Sequence, residues 1–426
     1  MNIGIVIGLI KALAPGVDPE IIEQAVMDWL DDHPEATTTV QDGSITEAKL
    51  AQDVLADLAE IEGLKEAIEN QPEVKSTDAS GVDLDLADDD GYVVARFKDG
   101  NIKTKNFDSS MNINNTVQNP YHDVLFADDT KVAVTTHDHC LVQATVDALT
   151  SKGVGALAIS NYYPSDPLYP LSEFGLTAPT GVVEIPNAEH HDFTDSYMHM
   201  NSIGSTFSSG KAQGETPIGI NDTWQHGIIK MKRELLYADG GGMTINHVHR
   251  TGLTDQQMME YLDFDEAVLG IEIYNQDAEV DLGKGWALDS WDAILQTGRR
   301  CWGFAVPDHY AQTSAQNWQG KIVLFVPDST QENILKAIRK GAFYAQIKHT
   351  SLALTNMVVN GHSVTITVSE SATIKTIIDG SVADTTTGTT KTINVPNGAT
   401  YVRFEVSTEN DAIYTNPIMF KVRGHK

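Results

Sequence analysis

Two cysteines in 426 residues, Cys140 and Cys301, are too few for a disulfide framework. They read as two buried thiols or one bridge, and they set no redox compartment. Cationic residues are scarce as well: 29 Lys and Arg stand against 59 Asp and Glu, a formal charge of −30 with a pI near 4.6. Such a field repels phosphate backbones, and no local basic patch offsets it, which argues against nucleic-acid binding. No apolar run is long enough for a transmembrane helix, so no membrane span is expected. The apolar start IGIVIGLIKALAPG lacks a basic n-region, is interrupted by Lys11 and has no small-x-small cleavage site. It therefore reads as a helix packing on a partner or its own subunit, with no signal peptide. Gly240-Gly241-Gly242 carries neither a GxGxxG nor a Walker pattern and reads as a helix stop before a strand. The absence of a Ser-His-Asp order and of G-x-S-x-G removes the serine hydrolases. The acidic stretch Asp88-Asp89-Asp90-Gly91 departs from calcium-loop spacing and reads as a solvated turn.

What remains is a chain with 41% hydrophobic residues, long enough for two or three domains and a sizeable core. Residues 1–33 suggest two short helices broken at Pro15-Gly16. Ser44 and Glu47 make a capping box, and Leu50, Val54, Leu58, Ile61, Leu64 and Ile68 follow a 4-3 repeat over about three heptads. That spacing suits either a coiled-coil arm in a trimer or a surface helix packed on its own domain. YVVARF and NIKTKNF flank Lys98-Asp99-Gly100, a hairpin signal. These elements form an expected attachment and oligomerisation region, 1–110.

From 115 to 348, apolar runs at 132–136, 156–160, 181–186, 197–203, 242–246, 268–274, 302–306 and 321–326 alternate with helical candidates such as QATVDALTSKG and TQENILKAIRKG. Alternation of this kind predicts an α/β architecture, a parallel barrel or sheet. Beyond 350, Thr/Val-rich alternating runs separated by Gly turns predict a C-terminal β-sandwich over 350–426.

The run KVAVTTHDHC anchors the functional reading. A β-branched strand ends in His137-Asp138-His139, and residues two apart on extended chain point the same way, so both imidazoles can reach one ion. Other apolar runs of the middle region also carry or end in metal-competent side chains: Glu189, His199, His247 and Asp308. Barrel strands gather their C-termini on one face, where such residues would meet.

The order HxH, PxxE, HMNSIG, strand-Asn-His, GIEIYN and GFAxxDH resembles the PHP family, metal-dependent phosphoesterases related to histidinol phosphatase and to polymerase editing domains. The resemblance implies a distorted (β/α)7 barrel with up to three divalent metals, and a histidine and carboxylate set suits zinc, manganese or iron. Carried over by motif, His137, His139, Glu189 and Asp308 would hold one ion. Glu189 would bridge to a second, completed by His199 and His247. The family's ligands for a third ion fall on Asn161-Tyr162 and Asp308-His309-Tyr310, where the expected histidines are missing. The expectation is accordingly a dinuclear site, with Tyr162 and Tyr163 at the vacated position as substrate contacts or space fillers. His249, Arg250 and His309 are candidates for catalysis or substrate contact, His309 as the proton donor to a leaving group. Of His190-His191, at most one faces the cavity.

DWLDDHPEATTTVQDGSITEAKL (28–50) and RFKDGNIKTKNFDSS (96–110) resemble the attachment regions of prophage tail and minor structural proteins. That resemblance implies a virion or tail location, or the cytoplasm before assembly, with other tail proteins as partners. The expected function is a metal-dependent hydrolase of the phosphoesterase type acting on a cell-surface polymer. A receptor-binding appendage without turnover, or a free-standing cellular phosphatase, are the alternatives.

Overall fold

A computed structural model describes the strands at 84–87, 93–98, 101–103 and 113–114, and residues 117–423 apart from 141, 162–165, 210–221, 310–318 and 349. The chain divides into two compact units, Met1–Gly81 and Val82–Lys426, and the described residues all belong to the second. The expected N-terminal helices, the capping box, the 4-3 repeat and the acidic turn at 88–91 lie outside the described residues.

Strands β1 (Leu84–Ala87), β2 (Val93–Lys98) and β3 (Asn101–Lys103) make a small antiparallel sheet. Lys98 pairs with Asn101, the register of the expected two-residue hairpin. β4 (Ile113–Asn114) pairs with the last strand, β21 (Val422–Arg423).

In the middle region, each apolar run becomes a strand. These are β5 (Thr130–Thr135), β6 (Val154–Leu157), β7 (Val183–Glu184), β9 (Met200–Ile203), β10 (Gly242–Ile245), β11 (Val268–Asn275), β12 (Trp302–Val306) and β13 (Lys321–Val326). The two-residue β8 (Glu189–His190) and β14 (Phe343–Gln346) add to them. Helices α1 (Gln143–Ser151), α2 (Trp224–Arg233), α4 (Asp255–Phe264), α6 (Leu288–Gln296) and α7 (Gln331–Lys340) fall on the expected segments, with short α3 (Val248–Thr251) and α5 (Gln276–Leu282) between. α7 shows why. Thr330 caps its N-terminus, Ile334, Leu335 and Ile338 bury one face, and Gly341 ends it in a left-handed conformation.

The strands are not uniformly parallel. β5, β6 and β7 run parallel, as do β10, β11 and β12. β13 and β14 are antiparallel to their neighbours, and so are β8 and β9. No helix crosses between β8 and β9, so the chain reverses directly, which antiparallel pairing permits. One sheet has the order β12-β11-β10-β9-β8. The other, of eleven strands, carries β14-β13-β5-β6-β7 and continues through β19 (Ala412–Thr415) into the C-terminal strands. These are β15 (Leu354–Asn360), β16 (Ser363–Ile378), β17 (Ser381–Asn394), β18 (Tyr401–Ser407) and β20 (Ile418–Met419).

One hydrophobic cluster draws on both sheets: Val132 and Val134 of β5 and Ile322 and Leu324 of β13 pack with Trp302 and Phe304 of β12 and Leu269 of β11. The C-terminal strands are pinned by a buried ion pair. Arg403 of β18 donates to both Asp292 oxygens at 2.7 Å and to Glu405 at 2.8 Å, and lies over the Trp291 ring. Cys140 and Cys301 are both free and buried.

Candidate metal centre

β5 ends at Thr135, and just beyond it the chain sets His137 and His139 side by side, their rings 5.4 Å apart. β8 carries Glu189, fully buried, opposite Asn201 of β9. β12 delivers Asp308 two residues past its end. His137 Nε2 lies 3.2 Å from Glu189 Oε2 and 3.1 Å from Asp308 Oδ1. His139 Nε2 lies 3.3 Å and 3.2 Å from the same two oxygens. His137 Nε2, Glu189 Oε2 and Asp308 Oδ1 are buried and make no hydrogen bond. Buried polar atoms are nearly always satisfied, and a cation between these would satisfy all of them at once. A tetrahedral ion about 2.0–2.1 Å from its ligands needs them about 3.3–3.4 Å apart, close to the spacing found. The residues fit a divalent ion.

Glu189 Oε1 turns the other way. It lies 3.0 Å from His199 Nδ1 and 3.1 Å from His247 Nε2, and accepts from Asn246 Nδ2 at 3.1 Å. Glu189, His199 and His247 thus form a second cluster sharing one carboxylate with the first. The direction of β9 explains why His199 belongs to it. β9 is antiparallel to β10, so its beginning meets the end of β10, and the Asn246 N–H donates to the His199 carbonyl at 3.0 Å. A candidate ligand placed just before β9 therefore joins His247, placed just after β10. This cluster is more open than the first, with the His199 side chain 30% exposed.

Charge and burial oppose one another here. Burial alone would lower the His137 imidazole, but Asp308, Glu272 and Glu189 outweigh it and hold it well above its ordinary value. His139 is likewise pushed up to about 9, Asp308 and Glu189 overcoming its burial. Burial would raise both carboxylates, yet His137 and its neighbours hold Glu189 and Asp308 well below the usual range. Asp138 behaves differently: burial pushes it up to about 7.

No family model and no curated protein matches the chain. Among solved structures, the chain is similar to a two-domain protein from Bacteroides vulgatus containing a predicted PHP-like metal-dependent phosphoesterase. The likeness has 14% identity and a TM-score of 0.37, and covers 73% of this chain and 100% of that one.

The other candidate residues are placed as follows. His309 donates its backbone N–H to Asp138 Oδ1 at 3.3 Å and accepts from the His139 N–H at 3.2 Å, and burial lowers its imidazole. His249 Nε2 lies 3.2 Å from Ser290 Oγ of α6. Arg250 donates to Asp277 of α5 at 2.6 Å. Tyr162, Tyr163 and Tyr310 lie outside the described residues. Asn161 clamps the backbone of Cys140, accepting from its N–H and donating to its carbonyl, both at 2.9 Å. His190 contacts Ser202 and Ser209, and burial with the neighbouring His191 lowers it to about 3. His191 pairs with Asp192, its ring beside that of His199.

Glu272, Asn275, Asn246 and Asn201 stand inside the motifs GIEIYN, strand-Asn-His and HMNSIG, but sequence reasoning assigned them no role. Glu272 Oε1 lies 2.5 Å from His137 Nδ1, and Asn275 Nδ2 donates to Asp308 Oδ2 at 3.0 Å. Asn246 donates to Asn201 Oδ1 at 3.0 Å as well as to Glu189. A signal for Glu272 does exist: a charged residue inside VLGIEIYN, a strand otherwise suited to complete burial.

Proposed function

We propose that the chain is a metal-dependent hydrolase of the phosphoesterase type with a dinuclear centre. His137, His139, Glu189 and Asp308 hold one divalent ion, and Glu189, His199 and His247 hold a second. The observation that carries the reading is the convergence of His137 Nε2, Glu189 Oε2 and Asp308 Oδ1, buried and close together yet not hydrogen-bonded. A histidine and carboxylate set suits zinc, manganese or iron. When bound, two such ions would lower the pKa of a shared water and neutralise charge on the attacked group.

The chain's own residues supply the rest. Glu189 spends one oxygen on each ligand set, which ties their geometries together. His309, whose imidazole burial lowers, is the proposed proton donor to a leaving group. His249 and Arg250 are proposed substrate contacts, as are Tyr162 and Tyr163 on the strength of the sequence alone. The two sheets over 115–348 are proposed as the halves of a distorted barrel, with 350–426 as an accessory domain. The resemblance of 28–50 and 96–110 to tail proteins supports a tail-like appendage, trimeric through residues 1–70, acting on a phosphoester or ester in a cell-surface polymer. A second reading, metal and ligand binding without turnover, is favoured by Asn161, whose amide is committed to the Cys140 backbone and offers no third-ion ligand.

Elemental analysis of the purified chain, followed by a phosphomonoester, phosphodiester and ester panel with His137→Ala as control, tests the proposal. Two ions per chain and hydrolysis abolished in the variant are expected. Absence of bound metal defeats both readings, and two ions without any hydrolysis selects the second.

A further inference from the structure

Glu272 lies in the middle of β11, all eight residues of which are buried, and it is 1% exposed. A carboxylate there is unfavourable unless its oxygens are engaged. Both are. Oε1 lies 2.5 Å from His137 Nδ1. Oε2 accepts from the His247 backbone N–H at 2.6 Å and from Asn275 Nδ2 at 2.8 Å. Asn275 Nδ2 also reaches Asp308 Oδ2 at 3.0 Å. One side chain therefore touches a ligand of the first set, the backbone of a ligand of the second, and, through Asn275, a third ligand.

We infer that Glu272 is a positioning residue that sets both metal positions together while ligating neither, an inference that rests on the dinuclear reading above. It acts on His137 through the tautomer. A carboxylate against Nδ1 keeps a proton on that nitrogen, so that Nε2 is the nitrogen left to face an ion held by Glu189 and Asp308. It acts on His247 through the backbone. His247 has φ of 24° and Asp308 has φ of 48°, a region that residues other than glycine rarely occupy. Such conformations persist only where the surroundings over-determine them. The His247 N–H held by Oε2, and the Asp308 carboxylate held by Asn275, are parts of that constraint. A carboxylate that only completed the core could take any donors; this one takes donors belonging to both ligand sets.

The full-length chain, stripped of metal, is titrated with Zn²⁺ against a competing chromophoric chelator, for wild type, Glu272→Gln and Glu272→Asp. Thermal unfolding of each metal-free form is followed alongside. Glutamine keeps the size but has one acceptor oxygen. Its NH₂ must face either His137 Nδ1 or the donors at His247 and Asn275. Glu272→Gln is expected to weaken both binding steps by about 10–100-fold each. Glu272→Asp, which keeps the charge, is expected to recover part of both. Wild-type affinities in Glu272→Gln, or a loss confined to one step, overturn the inference. So does a lowered metal-free Tm with unchanged stepwise affinities, the result of a purely structural role. Should Glu272→Gln fail to fold, wild-type affinities in Glu272→Asp overturn it equally. A wild type that binds no Zn²⁺ overturns the dinuclear reading itself, and this inference with it, a failure recognisable because it occurs before any substitution.

Discussion

Glu189→Gln is the substitution in which the proposed centre is most exposed to refutation. The residue is fully buried, with Oε2 between His137 and His139 and Oε1 between His199, His247 and Asn246. The amide keeps the shape, removes one unit of charge and replaces one oxygen with a donor. Its orientation is decided by Asn246, whose NH₂ already points at Oε1: a second NH₂ there would oppose it. The new NH₂ must therefore turn toward His137 and His139, in the place of the carboxylate oxygen of the first set. Removing one partner from a buried, charge-compensated group costs about 3–5 kcal/mol, which at about 1.4 kcal/mol per decade is two to almost four orders of magnitude in Kd. The first ion should be weakened by that factor, and the second weakened because it keeps an oxygen ligand but not the charge. The assay is elemental analysis after gel filtration, with chelator competition for the two affinities. Two ions per chain at wild-type affinity in Glu189→Gln would refute the shared carboxylate and require a different ligand assignment.

His199→Ala should weaken only the second ion, since the first set does not use it; loss of both in elemental analysis would contradict the division into two clusters. The metal-free protein should lose stability as pH rises. His139 has a folded value of about 9 against an ordinary 6.5, so its contribution is full below 6.5 and gone above 9, a loss of about 3 kcal/mol. His137 and His247 are raised too, and Asp138, raised to about 7, adds a loss of the same sign at lower pH. Metal affinity should rise over the same interval because the ions compete with those protons. Denaturant midpoints of stripped protein between pH 6 and 9.5 check the first statement, and chelator competition at the same pH values checks the second. Asp292→Ala should destabilise the fold by about 3 kcal/mol or more, because it strips the buried Arg403 of its bidentate partner and Tyr401 of its acceptor; a denaturant-derived change below about 1 kcal/mol would show that Glu405 and Trp291 suffice.

How much of the fold is legible in the sequence depends on whether the information is local. Strands such as KIVLFV and helices such as QENILKAIRK announce themselves through period, caps and glycine stops, because burial and capping act within a few residues. FYAQ does not announce itself as a strand, since four residues after a helix stop carry too little pattern of their own. Yet β14 is where β13 on one side and β19 on the other join the middle region to the C-terminal strands in one sheet. That continuity comes from pairing between distant segments, about which alternating Thr and Val in the last seventy-odd residues say nothing.

At the site, the metal-competent residues stand out because a histidine or carboxylate directly after an apolar run is costly to bury unless something engages its lone pairs, and here the pattern recurs from run to run. Their supports are harder to see. Asn187 donates to the carbonyls of Thr136 and Ala158, Asn201 to that of Thr136, and Asn161 braces Cys140. Five asparagine amides, Asn246 and Asn275 among them, thus hold the backbone and carboxylates around the histidines in place, and asparagine in a sequence more often signals a turn. What separates these from turn residues is burial: all of them lie in or between the strands of the core, where an unsatisfied amide would be costly. The polar residues at the strand ends therefore fall into two groups by the donors they own. Histidine and carboxylate offer lone pairs toward a cation, while the amides, which carry N–H donors as well, tie down the main chain that delivers those lone pairs. Glu272 crosses the boundary between the groups, a carboxylate spent entirely on donors, and for that reason a scan for ligand residues passes over it.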